Sequence, residues 1–486
     1  MGVLSELQPK LVWDIFEEIT KVPRPSKKEE KIIAWTKEFG KKYNCEMAED
    51  KLGNLVLRKP ATPGMEDRKA IVIQGHVDMV CEKNSDVEFD FDNDPIQVYI
   101  DGDWVKAKGT TLGADNGIGV AMGLALIAST DIPHPALEVL CTLDEETGLT
   151  GAMQLGTDLL QADILINLDS EEDGAFTIGC AGGQNTAGTF KYEADAVPAG
   201  VESLKLVVKG LQGGHSGIEI HDGRANAIKL LNRILFEASS KFDIRLASMN
   251  AGSAHNAIPR EAFAVVTVAN EHVADFKAFV AKCEEIYKDE WISKEPNIAV
   301  FAEAADKPAK VMTKEFAGRF IQSIYAMPHG PLRYSPDIAG LVQTSTNLSI
   351  VETRDMEIFV LTSQRSSVET EKKDMANMVR IALELGGAVV KQGDGYPAWQ
   401  PNMNSPILKA AVEMHKKVRG FDPKIEAIHA GLECGLVGEK YPHMDMLSFG
   451  PNLKDVHSPD EKIQISTVEN CWNLLKEIVQ NIPVKK

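Results

Sequence analysis

The stretch Ile71-Val-Ile-Gln-Gly-His76-Val-Asp78 reads as a buried β-strand that ends in a histidine. Three later apolar runs are likewise followed by acidic residues, at Asp115, at Glu145-Glu146 and at Asp169. In α/β proteins, strands that cross the core and end in such side chains build a site at the carboxyl edge of the sheet. The sequence therefore predicts a functional site at that edge.

The alternation of strands and helices before residue 187 predicts an α/β domain, with a mostly parallel sheet covered by helices on both faces. Near Gly182-Gly183 the strands become longer and more alternating, which is typical of a separate α+β domain. We expect the chain then to return to the first domain. The predicted division is 1–186 and 399–486 for the first domain and 187–398 for the insertion, and 486 residues suffice for two domains.

The N-terminal region carries two helical patterns. Apolar residues recur at helical spacing from about Leu4 to Thr20, and Pro23 and Pro25 end that helix. Ser26 followed by Glu29 predicts a capping box that opens the second helix.

Composition excludes several classes of partner. The formal charge of −19 argues against nucleic acid or an anionic membrane as the main partner. The seven scattered cysteines include no CxxC pair, which favours reduced thiols and a cytoplasmic protein. The N-terminus is a poor signal peptide, and no apolar run approaches the roughly 20 residues of a membrane span.

Two imidazoles and three carboxylates stand out as a possible ligand set. Together they suffice for two divalent cations, provided that one carboxylate bridges ions lying roughly 3.5–4 Å apart. Nitrogen and oxygen donors without thiolate suit Zn²⁺ best, with Mn²⁺ or Co²⁺ as alternatives. Each residue alone has an ordinary reading as a turn, cap or surface residue, but the complete set favours a metal site. The five residues are His76, Asp115, Glu146, Asp169 and His457.

Neighbouring acids add further chemistry. Asp78 lies two residues after His76, so on a strand both side chains share a face, and Asp78 is placed to orient the imidazole. Glu145 and Glu146 are adjacent and diverge on extended backbone, so one is expected to bind metal while the other serves as general base.

Four motifs resemble those of the M20 family of co-catalytic metallopeptidases: Gly75-His-Val-Asp-Met-Val80, Gly113-Ala-Asp-Asn-Gly117, Thr142-Leu-Asp-Glu-Glu146 and Gly213-Gly-His-Ser-Gly217. The resemblance spans essentially the whole chain, and within the family the chain is similar to the aminoacyl-histidine dipeptidase subgroup. It implies that Asp115 bridges the metals, that His76 and Asp169 complete one zinc site, and that Glu146 and His457 complete the other. It also makes Glu145 the general base.

The resemblance further implies that the insertion is a lid and dimerisation domain and that the protein is a homodimer. By that analogy His215 polarises the scissile carbonyl, while Asn256 and Arg365 grip the substrate. Turn and surface ion-pair readings of His215 and Arg365 stay open. Glu433 is expected either to contact a substrate amine or to cap a helix.

The predicted function is a cytoplasmic di-zinc dipeptidase that hydrolyses unblocked dipeptides, including Xaa-His types such as β-Ala-His, by metal-activated water. Two alternatives stay open: an amidohydrolase acting on N-acyl amino acids, and a metal-binding relative without catalytic activity.

Overall fold

A computed structural model of the chain describes residues 2–485. The chain divides into two compact units, and the first comprises residues up to Cys180, then Pro401–Ala427 and Leu432 onward. The second comprises Ala181–Gln400 and the short segment Ile428–Gly431. The chain therefore leaves the first unit once for a long insertion and once again for four residues. The catalytic, lid and dimerisation roles of the predicted domains stay predictions.

The helices, in chain order, are α1 (Lys10–Ile19), α2 (Glu30–Lys42), α3 (Ala114–Ala128), α4 (Thr150–Gln154), α5 (Ala227–Lys241), α6 (Val273–Glu290), α7 (Lys314–Ala326), α8 (Glu369–Leu385), α9 (Pro406–Arg419), α10 (Glu433–Lys440) and α11 (Ile465–Gln480).

The strands of the first half of the chain are β1 (Glu46–Glu49), β2 (Leu55–Lys59), β3 (Ile71–His76), β4 (Val98–Asp101), β5 (Trp104–Ala107), β6 (Leu137–Thr142), β7 (Ile164–Asn167), β8 (Ala175–Cys180), β9 (Gly182–Lys191), β10 (Ala194–Ala196), β11 (Val201–Lys209) and β12 (Gly214–His215). Those that follow are β13 (Arg245–Ala251), β14 (Ala257–Ile258), β15 (Ala262–Ala269), β16 (Ala299–Ala304), β17 (Lys310–Met312), β18 (Gly330–Tyr334), β19 (Val342–Arg354), β20 (Glu357–Ser366), β21 (Val389–Gln392), β22 (Lys424–Ile428), β23 (Asp445–Ser448), β24 (Leu453–Lys454) and β25 (Lys462–Gln464).

The first unit is built on an eight-stranded sheet in the order β1-β2-β6-β3-β7-β23-β8-β22. Its four central strands, β6, β3, β7 and β23, run parallel, whereas β1 and β2 on one side and β8 on the other pair antiparallel. Every residue of β3 and β6 is buried, as expected for strands covered on both faces. The predicted α/β class is confirmed, and its parallel strands occupy the centre of the sheet.

Helix α3 covers part of this sheet and is buried along nearly its whole length. Its glycine Gly123 lies where an added Cβ would touch Ile73 of β3 and Val139 of β6, so the helix packs closely on the sheet. This close packing explains the apolar, alanine- and glycine-rich sequence of α3, because larger residues would push the helix off the strands.

The second unit contains a large sheet in which every described pairing is antiparallel, in the order β16-β11-β15-β13-β19-β20-β9-β21, with β18 added beside β19. Leu204, Leu206 and Val208 of β11 are buried while Lys205 between them is more exposed. These alternating apolar residues form one core with residues of α5, α6, α7 and α8. The predicted α+β character of the insertion is confirmed.

The N-terminal predictions need two corrections. Helix α1 begins at Lys10, not near Leu4, because Pro9 occupies its N-cap. The capping box is wrong: α2 begins at Glu30 without a side-chain cap, and the Ser26 hydroxyl donates instead to the Asp78 carboxylate at 2.7 Å. Lys27, the residue after Ser26, has a left-handed φ of 67°, so no helix begins there for Ser26 to cap.

Residues 2–485 contain neither a membrane-spanning helix nor a disulfide. None of their helices combines the length and apolar character needed to cross a bilayer. All seven cysteines lie in this range, and none of them forms a disulfide.

Candidate metal centre

Parallel strands bring the first predicted residues to one edge of the sheet. Ile71 is in register with both Leu137 of β6 and Ile164 of β7, so the three strands start at the same level and end within two residues of one another. His76 is the last residue of β3, Glu145 and Glu146 follow β6, and Asp169 follows β7. The carboxyl edge therefore gathers four candidate side chains from three neighbouring strands.

Two groups of donors that share Asp115 form at this edge. Ligand atoms of His76, Asp115 and Asp169 lie within 4.8 Å of one another, and so do those of Asp115, Glu146 and His457. His76 Nε2 is 3.1 Å from Asp115 Oδ1 and 3.5 Å from Asp169 Oδ1. His457 Nε2 is 3.2 Å from Asp115 Oδ2 and 3.0 Å from Glu146 Oε2. The structure thus brings together all five residues of the predicted ligand set.

Asp115 belongs to both groups because its two carboxylate oxygens point in different directions. One oxygen faces His76 and the other faces His457, at nearly equal distances. Asp115 lies at the start of α3 with non-helical backbone angles, after Gly113 in the left-handed region at φ 68°. This irregular start presents the carboxylate between the two histidines, which is the geometry a bridging ligand requires.

Asp78 is fully buried and organises the surroundings of His76. Its Oδ1 lies 3.3 Å from His76 Nδ1, the ring nitrogen that faces away from Asp115. Its two oxygens also accept the backbone N–H groups of Glu145 at 3.1 Å and Glu146 at 3.3 Å. One carboxylate therefore lies beside the imidazole and fixes the turn that carries the paired glutamates.

The cluster contains more carboxyl groups than imidazoles, so its ionisable groups shift one another's pKa values. Burial opposes the charged form of Asp115, but hydrogen bonding to His457 and His76 lowers its pKa below the usual range. Hydrogen bonding to Asp115 and Glu146 raises the pKa of His457 to about 11. Burial raises the pKa of Asp169 to about 7, although His76 opposes the shift. The carboxylates therefore stabilise positive charge on or beside the two histidines.

The donor set fits a pair of divalent cations. Glu146 Oε1 and Asp169 Oδ1 are buried and accept no hydrogen bond from the described residues, so each has an oxygen left for another partner. Imidazole nitrogens and carboxylate oxygens without thiolate suit Zn²⁺, Mn²⁺ or Co²⁺. His76, Asp115 and Asp169 would hold one cation, and Asp115, Glu146 and His457 the other.

Glu145 stands beside this pair and belongs to neither group. One of its carboxylate oxygens lies within 4.8 Å of ligand atoms of His76 and Glu146. Burial, together with the negative charge of Asp169 and Glu433, raises the pKa of Glu145 well above the usual value, although His76 opposes this. A carboxylate that holds a proton this readily is suited to accept one from an attacking water molecule.

Glu433 is the first residue of α10 and is buried, with 1% of its surface exposed. Its Oε2 accepts hydrogen bonds from Gln74 Nε2 at 2.5 Å and Thr142 Oγ1 at 2.9 Å, while Oε1 has no partner among the described residues. Burial raises the pKa of its carboxyl to about 7. Glu433 is therefore more than a helix-capping acid, because one oxygen is held in place and the other is left available.

In the second unit His215 and Asn256 are neighbours. His215 pairs with Ala257 across β12 and β14, and the Ser216 N–H donates to the Asn256 carbonyl at 2.8 Å. Both line a cavity of about 790 Å³. His215 Nδ1 accepts the N–H groups of Gly217 at 3.2 Å and Ile218 at 3.1 Å, and burial lowers the pKa of the ring. The neutral ring therefore carries its proton on Nε2 and is a donor there.

Arg365 of β20 is also well buried in the second unit, with 7% of its surface exposed. It donates from Nη1 to the Tyr396 hydroxyl at 2.7 Å, and its Nε finds no acceptor among residues 2–485. Arg365 and Tyr396 line a cavity of about 140 Å³ together with His255. Arg365 is not part of a surface ion pair, because it is buried and no carboxylate of residues 2–485 lies within ion-pair distance of it.

Some residues of the centre were not predicted from the sequence. Gln74 carries a detectable signal, since it is a polar residue in an apolar strand on the same face as His76. Arg24 and Glu461, which are both buried beside the Asp115 loop, carry none, because their hydrogen-bond partners there are backbone groups.

Paired cation sites of this composition serve metal-dependent hydrolases, in which two ions act on one displacement. The comparison with protein families makes the class specific. The chain belongs to peptidase family M20/M25/M40, whose model matches residues 72–481.

Individual relatives agree with this family. The chain is 45% identical to the cytosol non-specific dipeptidase of Escherichia coli (strain K12) over 489 aligned positions that cover 100% of both chains. It is 43% identical to the crystal structure of aminoacylhistidine dipeptidase from Vibrio alginolyticus, with a TM-score of 0.95 over 99% of each chain. A tripeptidase from Staphylococcus aureus shares the fold alone, at 15% identity and a TM-score of 0.57, over 98% of this chain and 99% of that one.

Proposed function

We propose that this protein is a two-metal dipeptidase that hydrolyses unblocked dipeptides, including Xaa-His substrates such as β-Ala-His. The observation that carries the proposal is the Asp115 carboxylate, which directs one oxygen to each of two histidines. Each histidine also faces a second carboxylate, Asp169 or Glu146. Zn²⁺ is the proposed metal because the donors are imidazole and carboxylate, with Mn²⁺ and Co²⁺ as alternatives.

Bound cations at this position would polarise the scissile carbonyl and make an attacking water molecule more acidic. Glu145 is proposed to accept the proton of that water and to pass it to the leaving amine. Its backbone is fixed by the hydrogen bond to Asp78, so the carboxylate stays beside the reacting atoms. Asp78 also keeps the His76 imidazole in the tautomer that presents Nε2 to the metal.

Glu433 supports a substrate with a free amine. Gln74 and Thr142 hold one oxygen of its carboxylate, and the unpartnered oxygen is the acceptor that a substrate ammonium group needs. An N-acylated amino acid offers only an amide at that position and leaves the buried carboxylate without a cationic partner, which is costly. The proposal therefore favours unblocked dipeptides over N-acyl amino acids.

The second unit supplies the proposed substrate contacts outside the metal centre. His215 donates from Nε2, as its tautomer allows, to the carbonyl oxygen on which negative charge grows during attack. Arg365, held by Tyr396, binds the free carboxylate of the substrate, and Asn256 contacts its backbone. We further propose that this unit acts as a lid and dimerisation domain in a cytoplasmic homodimer.

The names of the relatives differ on specificity, since one is non-specific and the other acts on aminoacyl-histidine substrates. The decisive experiment measures kcat/KM for β-Ala-His, Ala-His and Ala-Ala against N-acetyl-histidine and N-acetyl-alanine, with Zn²⁺, Mn²⁺ or Co²⁺ supplied. We expect all three dipeptides to be cleaved and neither N-acetyl compound. Metal analysis of the purified protein accompanies the panel.

Two results would contradict the proposal. Faster cleavage of the N-acetyl compounds would identify a deacylase. Failure to cleave any dipeptide with any of the three metals would identify a metal-binding relative without catalytic activity. A preference for Ala-His over Ala-Ala decides whether histidine is recognised.

A further inference from the structure

Glu461 is buried, with 2% of its surface exposed, and lies four residues after His457. Its carboxylate accepts four consecutive backbone N–H groups, those of residues 112–115, at 2.7, 2.9, 2.8 and 3.4 Å. The last of these N–H groups belongs to Asp115 itself. A single short segment therefore carries one metal-ligand candidate and also grips the loop that presents another.

Arg24 holds the same loop from the opposite side of its backbone. Its guanidinium is fully buried and donates to the carbonyls of Val77 at 3.1 Å and Asp78 at 2.9 Å. It also donates to the carbonyl of Gly113, whose N–H is bound by Glu461. Arg24 thus ties the residues just after His76 to the residues just before Asp115.

The fit of Arg24 explains two glycines of the motif Gly113-Ala-Asp-Asn-Gly117. An added Cβ at Gly113 or at Gly117 would collide with the Arg24 guanidinium. Gly113 also has the left-handed φ of 68° that other residues rarely adopt. Glycine is therefore required at these two positions because the loop packs against the buried guanidinium of Arg24. A turn alone would explain only Gly113.

Two buried charges that bind mainly backbone groups are an expensive way to hold a loop, because each must be removed from water. The cost is understandable where one carboxylate must be kept in register with two histidines from distant parts of the chain. We propose, on the basis of the proposed metal centre, that Glu461 and Arg24 are positioning residues that fix Asp115 between His76 and His457 and so set the affinity for the cation pair.

The principal test is Glu461→Gln, which keeps the volume but removes the charge and turns one acceptor into a donor facing N–H groups. Zn²⁺ affinity is measured by competition with a chelator, without substrate. We expect a loss of about 10- to 100-fold, the range found when groups that orient metal ligands are removed. Amide hydrogen exchange of residues 112–115 should accelerate in the same variant.

Glu138 provides a matched control at the other end of the sheet. It is 4% exposed, accepts the N–H groups of Gln161 at 2.9 Å and Ala162 at 3.1 Å, and pairs with Arg58. Glu138→Gln therefore removes an equally buried carboxylate at the amino end of β6. It should lower thermal stability while Zn²⁺ affinity stays within about twofold, so a merely structural role is distinguished from positioning.

The positioning role is overturned if Glu461→Gln binds Zn²⁺ as tightly as the wild type, or if Glu138→Gln weakens binding equally. If Glu461→Gln does not fold, Glu461→Asp takes its place. Binding of Zn²⁺ by Glu461→Asp as tightly as by the wild type would also overturn the role. Arg24→Lys, which keeps the charge but cannot reach three carbonyls together, should show a similar loss. A wild-type chain that binds two cations but cleaves no dipeptide would contradict the proposed function and leave the positioning role intact.

Discussion

The two halves of the donor cluster are built in different ways. His76 is the last residue of a buried strand, is 1% exposed, and has Asp78 beside its second ring nitrogen. The side chain of His457 is 50% exposed and lies on the loop between β24 and β25, with its backbone in the left-handed region at φ 61°. One histidine is thus part of the sheet, and the other belongs to a loop at the surface.

The two histidines therefore differ in rigidity and in solvent access. Strand β3 is hydrogen-bonded on both sides, to β6 and β7, so His76 has little freedom to move. His457 depends on its loop, which Glu461 attaches to residues 112–115. A cation in the His76 half therefore meets a preorganised site, whereas a cation in the His457 half depends on a loop that solvent reaches.

The largest expected effect comes from Asp115→Asn, which removes the charge of the proposed bridging ligand and so should damage both halves of the donor cluster. We expect both cations to bind much more weakly and kcat/KM to fall on the order of 10⁴-fold, since metal-assisted hydrolysis loses several kcal/mol of transition-state stabilisation. Metal analysis and dipeptide kinetics measure this.

Asp445→Asn is the matched control for Asp115→Asn. Asp445 caps the start of α9 by accepting from Ser405 Oγ and the Ile407 N–H, at the opposite end of the central strands. It should keep both cations. Retention of two tightly bound cations by Asp115→Asn would show that the carboxylate does not bridge.

Glu145→Gln should spare both halves of the donor cluster. Because Glu145 belongs to neither of the two trios that share Asp115, the variant is expected to keep two cations while kcat falls about 10²- to 10⁴-fold, the usual contribution of a general base. The exposed Glu38→Gln serves as control and should retain full activity. Full turnover by Glu145→Gln would remove this residue from the proposed mechanism.

The convergence of the donors was accessible from the sequence because it follows from one rule. Parallel strands end at a common edge, so side chains that follow His76, Thr142 and Asn167 must lie close together. The rule accounts for His76, Glu146 and Asp169. Asp115 at the start of α3 and His457 on the loop between β24 and β25 lie outside it, and the individual roles of all five stay predictions. The α/β class and the inserted α+β unit were accessible for a similar reason, since alternation and burial follow from strand and helix periodicity.

Other features were hidden from the sequence for identifiable physical reasons. Arg24 and Glu461 bind the site chiefly through main-chain N–H and C=O groups, which every residue has, so no pattern of side chains reveals the contact. The capping box failed because Ser26 found a tertiary partner, Asp78, that local spacing cannot show. Long-range partners of single polar residues are the part of this fold that periodicity does not encode.

Asp78→Asn should affect the two halves unequally. The substitution weakens the hold on His76 Nδ1 and on the N–H groups of Glu145 and Glu146, so the cation of the His76 half should bind about 10- to 100-fold more weakly. The cation of the His457 half should change less, because Asp78 reaches that half only through the Glu146 N–H and contacts neither His457 nor the Glu146 carboxylate. Stepwise titration of the metal-stripped variant with Co²⁺ separates the two events.

The same titration has a built-in control in Ser26→Ala, which removes only the hydroxyl that donates to Asp78. A smaller loss confined to the same half is expected there. Equal weakening of both halves by Asp78→Asn would contradict the view that Asp78 belongs to the His76 half.

Metal affinity of the His457 half should rise with pH. Hydrogen bonding to Asp115 and Glu146 raises the pKa of His457 from 6.5 to about 11, so the imidazole is protonated at pH 7 and a cation must displace that proton. Apparent affinity is expected to increase about tenfold per pH unit for each proton displaced. Calorimetry in buffers of different ionisation enthalpy, at pH 6.5, 7.5 and 8.5, measures the released protons.

The same raised pKa fixes the sign of a stability effect in protein stripped of metal. His457 gains its carboxylate partners only on folding, so its contribution is fully present below pH 6.5 and is lost as the pH rises toward 11. Thermal unfolding of the stripped protein should therefore reflect less stabilisation from this pair at pH 9 than at pH 6. His457→Gln, which does not titrate, should lose that difference.

The smallest expected effect is a difference in the rate at which the two cations leave. Because the side chain of His457 is half exposed and His76 is enclosed, a chelator should remove one cation several-fold faster than the other, and the faster one should be the cation bound by His457. Stopped-flow chelation of the Co²⁺ enzyme follows this as two phases. Glu461→Gln should accelerate both phases because it loosens the Asp115 loop, and the faster phase more because it also loosens the segment that carries His457. A single phase in the wild type would mean that the shared Asp115 carboxylate couples the two halves so tightly that their different construction has no kinetic consequence.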